Sequence, residues 1–162
     1  DPVVYLEHKN IWGIEGEVPD EDFLLPFGKA RIEREGADIS IVSWSAQLHV
    51  ASEAAEILQK KGISAEVIDL RTLWPWDKEA VFSSVEKTGR LLITHESVAV
   101  GGFGAEIAAT VSEHMFKALK HPVRRCAAPR VPISYAPPLE DMIRVTANNI
   151  VAVATTMMDS RN

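Results

Sequence analysis

After Gly28, hydrophobic residues recur in two alternating spacings. Four short apolar runs have the length and composition of buried strands, and they span residues 39–42, 65–70, 91–94 and 122–126. Between and after these runs, apolar residues recur every three or four positions, which is the spacing of one face of a helix. That spacing predicts helices over residues 47–61 and 77–89, around Ile107, Val111 and Met115, and after Thr146.

The ends of these helices have recognisable signals. Asp77 and Thr146 are predicted N-caps, because their side-chain oxygens can accept from free first-turn amides. Gly62 and Gly89 follow two of the helices and are predicted to end them, since glycine adopts the left-handed conformation without strain.

Strands that alternate with helices predict a parallel sheet, because each crossover helix returns the chain to the same end of the sheet. We therefore expect a three-layer α/β domain with a mostly parallel sheet of about five strands and helices on both faces. Residues 30–33 alternate apolar and polar side chains and predict an antiparallel edge strand.

Residues 1–28 differ from the rest of the chain. A strand-like apolar run at residues 3–6 has no partner beside it, and no initiator Met precedes it. Residues 7–27 are polar and interrupted by Gly and Pro, as in a linker. Their aromatic residues, Trp12, Phe23 and Phe27, predict a linker that packs against the domain. We expect a fragment of a longer protein, with the end of a preceding domain and a linker in residues 1–28 and one domain in residues 29–162.

Composition narrows the classes of function. Hydrophobic residues make up 46% of the 162 residues, which excludes extended disorder. The 17 Lys and Arg against 23 Asp and Glu argue against nucleic acid as the main partner. No apolar run approaches the roughly 20 residues that span a membrane. Cys126 is the one cysteine, so no disulfide forms within the chain, which favours a reducing compartment such as the cytoplasm.

His95 and Glu96 are the strongest candidates for catalytic residues. A histidine beside a carboxylate at the end of a strand is a candidate acid or base group. Adjacent residues of a strand point to opposite faces, however, so the interpretation as two separate structural residues is favoured.

Gly101, Gly102 and Gly104 precede a helix and are candidates for binding an anion through backbone amides. Their spacing does not match a dinucleotide or phosphate loop. The favoured alternative is a loop that turns tightly against a neighbouring helix. Ser43 and Ser45 lack a nucleophile motif. Taken alone, the residues predict no active site.

Longer motifs resemble the beta subunits of thiamine-diphosphate-dependent 2-oxo acid dehydrogenases. They are DPVVYLEHK at residues 1–9, LPFGKA at 25–30, EVIDLRTLWPWD at 66–77, KTGR at 87–90, HE at 95–96 with GGFGAEI at 101–107, PVRR at 122–125 and PPLED at 137–141. They occur in the family's order and cover nearly the whole chain. The chain is similar to the C-terminal, transketolase-type domain of that subunit, and residues 1–28 are similar to the end of its pyrimidine-binding domain and the interdomain linker.

The resemblance implies a parent enzyme that decarboxylates a 2-oxo acid oxidatively and passes the acyl group to a lipoyl domain. Its partners would be an alpha subunit, a second beta subunit and the lipoyl acyltransferase. Thiamine diphosphate and Mg would bind outside this domain, so the isolated domain is expected to be inactive. The motifs slightly favour a branched-chain substrate, with pyruvate or acetoin as the alternative. The compartment would be the cytoplasm, or the mitochondrial matrix in a eukaryote.

The resemblance also implies roles for single residues. Asp1 matches part of a structural potassium site, and Lys120 and His121 match the position where the acyltransferase docks. Lys120 stands where several pyruvate-type members have an acidic residue. Two other functions stay open from the residues alone: a stand-alone nucleotide- or anion-binding module that uses the loop at residues 101–104, and a purely structural dimerisation domain.

Overall fold

The computed structural model describes residue 2 and residues 4–159. Within them the chain forms one sheet of five strands and the helices that connect and cover it. In chain order the elements are β1 (Arg31–Arg34), β2 (Ile39–Ser43), α1 (Ala46–Lys60), β3 (Ala65–Asp69), α2 (Lys78–Thr88), β4 (Leu91–Val98), α3 (Gly104–His114), β5 (Arg124–Ala128), α4 (Pro137–Asp141) and α5 (Ala147–Asp159).

The strand order is β1-β3-β2-β4-β5, and every neighbouring pair is parallel except β1 with β3. This confirms the mostly parallel sheet and the antiparallel edge strand. From β2 the chain moves first to β3 on one side and then to β4 on the other. The carboxyl ends of β2 and β4 therefore mark a topological switch point, where doubly wound sheets usually bind ligands.

Helices cover both faces of the sheet. Ile41 and Leu92 belong to an apolar cluster that includes buried residues of α1 and α5, and their neighbours Val42 and Ile93 belong to a second cluster that includes residues of α2 and α3. Every residue of β2 and β3 is buried. Burial on both faces explains why these strands have continuous apolar runs rather than alternating ones.

The predicted helix ends are confirmed. The Asp77 carboxylate accepts from the amide of Ala80 at 3.1 Å, and Gly89 ends the same helix with a φ of 73°. Thr146 and Asn149 cap each other before α5: the Asn149 amide donates to the Thr146 hydroxyl at 3.3 Å, and the Thr146 amide donates to Asn149 Oδ1 at 2.9 Å.

Three boundaries differ from the sequence-based prediction. β4 extends to Val98, beyond its apolar run, because its pairing with β5 continues to Ala128. β5 begins at Arg124 rather than at residue 122, since Pro122 has no amide to donate to a neighbouring strand. The Pro-rich stretch contains the short helix α4, which starts at Pro137, and proline is well tolerated in a first helical turn.

One expectation about the N-terminal segment is wrong. Residues 4–6 pair with no strand of the described chain, residue 3 lies outside the described part, and the strand of a preceding domain stays a prediction. Trp12, Phe23 and Phe27 are 65%, 57% and 80% exposed rather than packed against the domain. The division between residues 1–28 and 29–162 stays a prediction. Of the helices in the described residues, none has the length and apolar content to cross a bilayer.

Candidate functional site

Two of the cavities open at the carboxyl edge of the sheet, beside the switch point. The first, of about 500 Å³, lies between the start of α1, the end of β5 and residues 133–145. The second, of about 470 Å³, lies between the β2–α1 turn and residues 101–103. His8 and Glu96 line both cavities. The N-terminal segment therefore crosses the crevice at the place where a ligand is expected.

His8 and Glu96 form a hydrogen bond across this edge, with the Nε2–H of His8 as the donor. His8 Nε2 lies 2.9 Å from Glu96 Oε2, and the side chains are 28% and 50% exposed. The other ring nitrogen, Nδ1, accepts from the amide of Asn10 at 3.2 Å. Glu96 therefore partners His8 rather than its neighbour His95. No sequence motif indicates this pair, because the two residues lie far apart along the chain.

His95 is fully buried on the other side of β4. Its ring stacks on Trp44 with centroids 5.3 Å apart, and Nδ1 shares a hydrogen bond with the Ser97 hydroxyl at 2.8 Å. Nε2 has no hydrogen-bond partner in the described part of the chain. Burial lowers the pKa of His95, and the charge of Arg125 acts in the same direction. The ring is therefore neutral at neutral pH.

The glycine loop packs directly on this ring. A Cβ at Gly104 would lie 2.5 Å from His95 Nε2, and one at Gly102 would lie 2.4 Å from the Val98 carbonyl oxygen. The tight contact is thus with strand β4, not with a neighbouring helix as the sequence suggested. The amides of Ala105 and Glu106 already donate within the turn, at 2.9 and 3.0 Å. Anion binding by Gly101, Gly102 and Gly104 stays a prediction.

A His95→Asn variant is expected to make stability less dependent on pH. Folding lowers the pKa of His95, so below the unfolded pKa of about 6.5 the unfolded chain binds a proton more readily than the folded chain. The free energy of unfolding therefore keeps the full contribution of His95 above that pH. It loses this contribution as pH falls further, by at most about 1.4 kcal/mol per pH unit. Urea unfolding at pH 7.5 and 5.5 measures the difference from the native chain. His49→Asn, at an exposed histidine, is the matched control. An unchanged pH dependence in His95→Asn would contradict the assignment of a neutral buried ring.

Ser45 occupies an unusual conformation at the turn from β2 into α1. Its φ of 55° is positive for a non-glycine residue, and its exposed side chain borders the second cavity. Strained strand-to-helix turns present the nucleophilic serine in some hydrolases. Here the nearby His8 has both ring nitrogens engaged, so it offers no base for the Ser45 hydroxyl. A positive φ on a serine has no signature in the sequence.

The remaining predicted residues lie elsewhere. The Lys120 amide donates to the Gly89 carbonyl at 2.7 Å, and His121 Nδ1 lies 2.7 Å from the Pro122 carbonyl oxygen, so both residues sit at the amino end of the sheet. Their docking role stays a prediction. Asp1, with the potassium role assigned to it, lies outside the described residues. Among residues 2 and 4–159, no group of three His, Cys, Asp or Glu side chains could hold a metal ion.

Comparison with known proteins identifies the family that this chain matches. Residues 28–150 match the model of the transketolase C-terminal domain. The chain is 44% identical over 158 residues to the beta subunit of an acetoin:2,6-dichlorophenolindophenol oxidoreductase from Cupriavidus necator, covering 98% of the chain and 47% of that protein. It is 44% identical over 154 residues to the 2-oxoisovalerate dehydrogenase beta subunit of Bacillus subtilis, with 94% and 47% covered.

A third relative is the mitochondrial pyruvate dehydrogenase E1 subunit beta-2 of Oryza sativa subsp. japonica, 46% identical over 158 residues, with 95% of the chain and 42% of that protein covered. The chain thus spans about half the length of these relatives. Among solved structures, a split-gene transketolase described as an inactive β4 tetramer superposes with a TM-score of 0.74 at 29% identity, over 88% of this chain and 45% of that one.

Proposed function

The chain belongs to the transketolase C-terminal domain family, and from that membership we propose that it is the C-terminal half of the beta subunit of a 2-oxo acid dehydrogenase. The observation that supports this most is the set of three relatives at 44% to 46% identity, each of which aligns with nearly the whole chain. All three are beta subunits of enzymes that oxidise pyruvate, 2-oxoisovalerate or acetoin.

In this proposal the parent enzyme uses thiamine diphosphate and Mg, but this chain does not hold them. A diphosphate needs a divalent cation or several free amides. The described residues offer no three-residue metal cluster, and the glycine loop packs its backbone on His95. Glu96, an exposed carboxylate that lines the same cavity as Gly101 and Gly102, is already hydrogen-bonded to His8. The residues do not fit the cofactor, and no catalytic step is assigned to them.

We propose instead that the domain serves assembly, with an alpha subunit and a second beta subunit as partners. Exposed apolar side chains support this role, because large apolar surface left in water marks an interface. Trp74 and Tyr135 are 76% and 101% exposed, on loops at the carboxyl edge of the sheet, and Phe27 is 80% exposed nearby. Lys120 and His121 remain the proposed docking position for the lipoyl acyltransferase, at the opposite edge. The compartment would be that of the parent, the cytoplasm or the mitochondrial matrix.

The substrate is proposed to be a branched-chain 2-oxo acid, with pyruvate or acetoin as the alternative. The relatives' identities differ too little to choose among them. Turnover of the three substrates by the reconstituted parent enzyme decides the question.

The purified chain is expected to show no turnover of any 2-oxo acid and no calorimetric heat with thiamine diphosphate and Mg. Dye reduction with 2-oxoisovalerate, pyruvate and acetoin measures the turnover, and a nucleotide panel tests the alternative binding module in the same calorimeter. Turnover by the chain alone, or binding of thiamine diphosphate, would contradict the proposal. A species of about twice this length in the source cell would support a two-domain subunit.

A further inference from the structure

The edge of the sheet at β5 has no role in the proposed function, and we propose that it binds an extended acidic segment of a partner protein. β5 is the last strand in the sheet order, and β4 is the only strand of the described chain that pairs with it. No hydrogen bond joins the backbone of residues 124–127 to a described residue outside β4. Such an edge presents unpaired amides and carbonyls to which a further strand can bind.

The chain around this edge is positively charged, although the net charge of the whole chain is −6. Residues 114–139 contain five Lys or Arg residues and no Asp or Glu. These five residues are Lys117, Lys120, Arg124, Arg125 and Arg130. Two of them belong to β5 itself, and the other three precede or follow it in the chain. Positive charge is therefore concentrated along one edge of an otherwise acidic chain.

The two arginines of β5 are free to bind carboxylates of a partner. Arg124 and Arg125 are exposed, and neither forms an ion pair with a carboxylate of the described chain. Arg125 Nη1 donates to the Ala99 carbonyl at 2.5 Å, but that acceptor is neutral and leaves the charge uncompensated. The other edge strand, β1, differs in this respect, because its Arg31 is paired with Glu33.

Arg124 and Arg125 lie on opposite faces of the sheet. Arg124 is level with Leu92 of β4 and Arg125 with Ile93, and these two β4 residues belong to the apolar clusters on the two faces. A strand that paired with β5 would alternate its own side chains between the same two faces. Neighbouring carboxylates on that strand would therefore meet one arginine each. Exposed ion pairs contribute little by themselves, so backbone hydrogen bonds along β5 would supply the rest of the affinity.

A second copy of this edge and a nucleic acid both fit it less well than an acidic peptide. Two β5 edges side by side would bring two positively charged patches together, and like charges across a strand pair are unfavourable. A nucleic acid would meet the arginines but leave the strand's amides and carbonyls unpaired, and the net charge of −6 opposes its approach. An extended acidic segment satisfies both the backbone groups and the arginines.

Binding of the end-blocked peptide TEETVEET to the chain, followed by calorimetry and NMR at low salt, tests this inference. TEETVEET is expected to bind with a Kd below about 1 mM, and its neutral counterpart TQQTVQQT at least about tenfold more weakly. At saturation, those amides of residues 124–127 that do not donate to β4 should exchange with solvent more slowly. Attraction between charges alone would not slow their exchange.

Four results would overturn the inference. They are no binding of TEETVEET up to about 10 mM, equal affinity for the two peptides, unchanged exchange of the amides, and equally tight binding of an eight-nucleotide oligothymidylate. The test uses neither the parent enzyme nor the docking position proposed at Lys120 and His121. Its failure would therefore leave the proposed function intact.

A matched pair of variants locates the peptide. Arg124→Glu is expected to weaken TEETVEET binding about tenfold without lowering Tm, because Arg124 is exposed and pairs with no carboxylate of the described chain. Lys61→Glu makes the same change in net charge at an exposed lysine after α1, and it should bind nearly as well as the native chain. An equal loss of affinity in the two variants would show that net charge, not the β5 edge, attracts the peptide, and would overturn the inference.

Discussion

The Gly36→Ala variant is expected to lose about 3 kcal/mol or more of its free energy of unfolding, because a new methyl group would overlap the backbone of β3. A Cβ at residue 36 would lie 2.1 Å from the Glu66 amide nitrogen and 2.2 Å from the Ala65 carbonyl carbon. Both atoms belong to a strand paired on two sides, so the strand cannot move aside without breaking its ladders.

Urea unfolding monitored by tryptophan fluorescence measures this loss. Gly13→Ala is the matched control, since a Cβ at residue 13 has nothing within 4 Å. The control should stay within about 0.5 kcal/mol of the native chain. A Gly36→Ala variant as stable as this control would contradict the close contact between the turn before β2 and the backbone of β3.

The Lys87→Met variant is expected to lose about 2 to 3 kcal/mol, because it leaves the buried Glu66 carboxylate without its cation. Lys87 Nζ contacts Glu66 and lies 3.1 Å from Glu35 Oε2. The Glu66 side chain is 2% exposed, and that of Lys87 is 42% exposed. The partial exposure of Lys87 places the loss below the range of a fully buried pair, since water already screens its charge.

The pH dependence identifies the cause of that loss. Burial by itself raises the pKa of Glu66, but hydrogen bonds from Lys87 and Ser84 outweigh it and hold the pKa below its ordinary value. The native chain therefore keeps this contribution above the unfolded pKa of about 4.3 and loses it as pH falls further. In Lys87→Met the neutral form of Glu66 is favoured. The free energies of unfolding of the native chain and this variant should therefore converge as pH falls towards 4.

A second substitution separates charge from packing. Glu66→Gln in the Lys87→Met background should recover most of the loss at pH 7.5, because it removes the unpaired charge. Lys61→Met, at an exposed lysine, should be close to neutral. If the double variant is no more stable than Lys87→Met, packing of the lysine stem rather than the ion pair accounts for the effect.

These two clusters lie at the amino end of the sheet, near the starts of β2, β3 and β4. The crevice with His8, Glu96 and Ser45 lies at the carboxyl end. The Gly36→Ala and Lys87→Met variants therefore change residues at the opposite end of the sheet from the crevice.

The order of strands and helices followed from the sequence because burial on two faces imposes local patterns. Apolar runs marked β2, β3 and β4, and Asp77, Gly89 and Thr146 marked helix ends through hydrogen bonds to residues a few positions away. The extended β4 and the displaced β5 were not predictable, since pairing with a neighbouring strand, rather than local composition, sets where those strands begin and end.

The sequence by itself determined the layered α/β class, the antiparallel edge strand and the family, because each depends on local spacing or on motifs that survive in order along the chain. Only the tertiary structure decided that Glu96 pairs with His8 and that the glycine loop packs on His95, whose ring stacks on Trp44. It also decided that the N-terminal segment crosses the switch point with its aromatic side chains exposed to water. These contacts join residues far apart in the chain, and their energies depend on geometry that spacing does not encode.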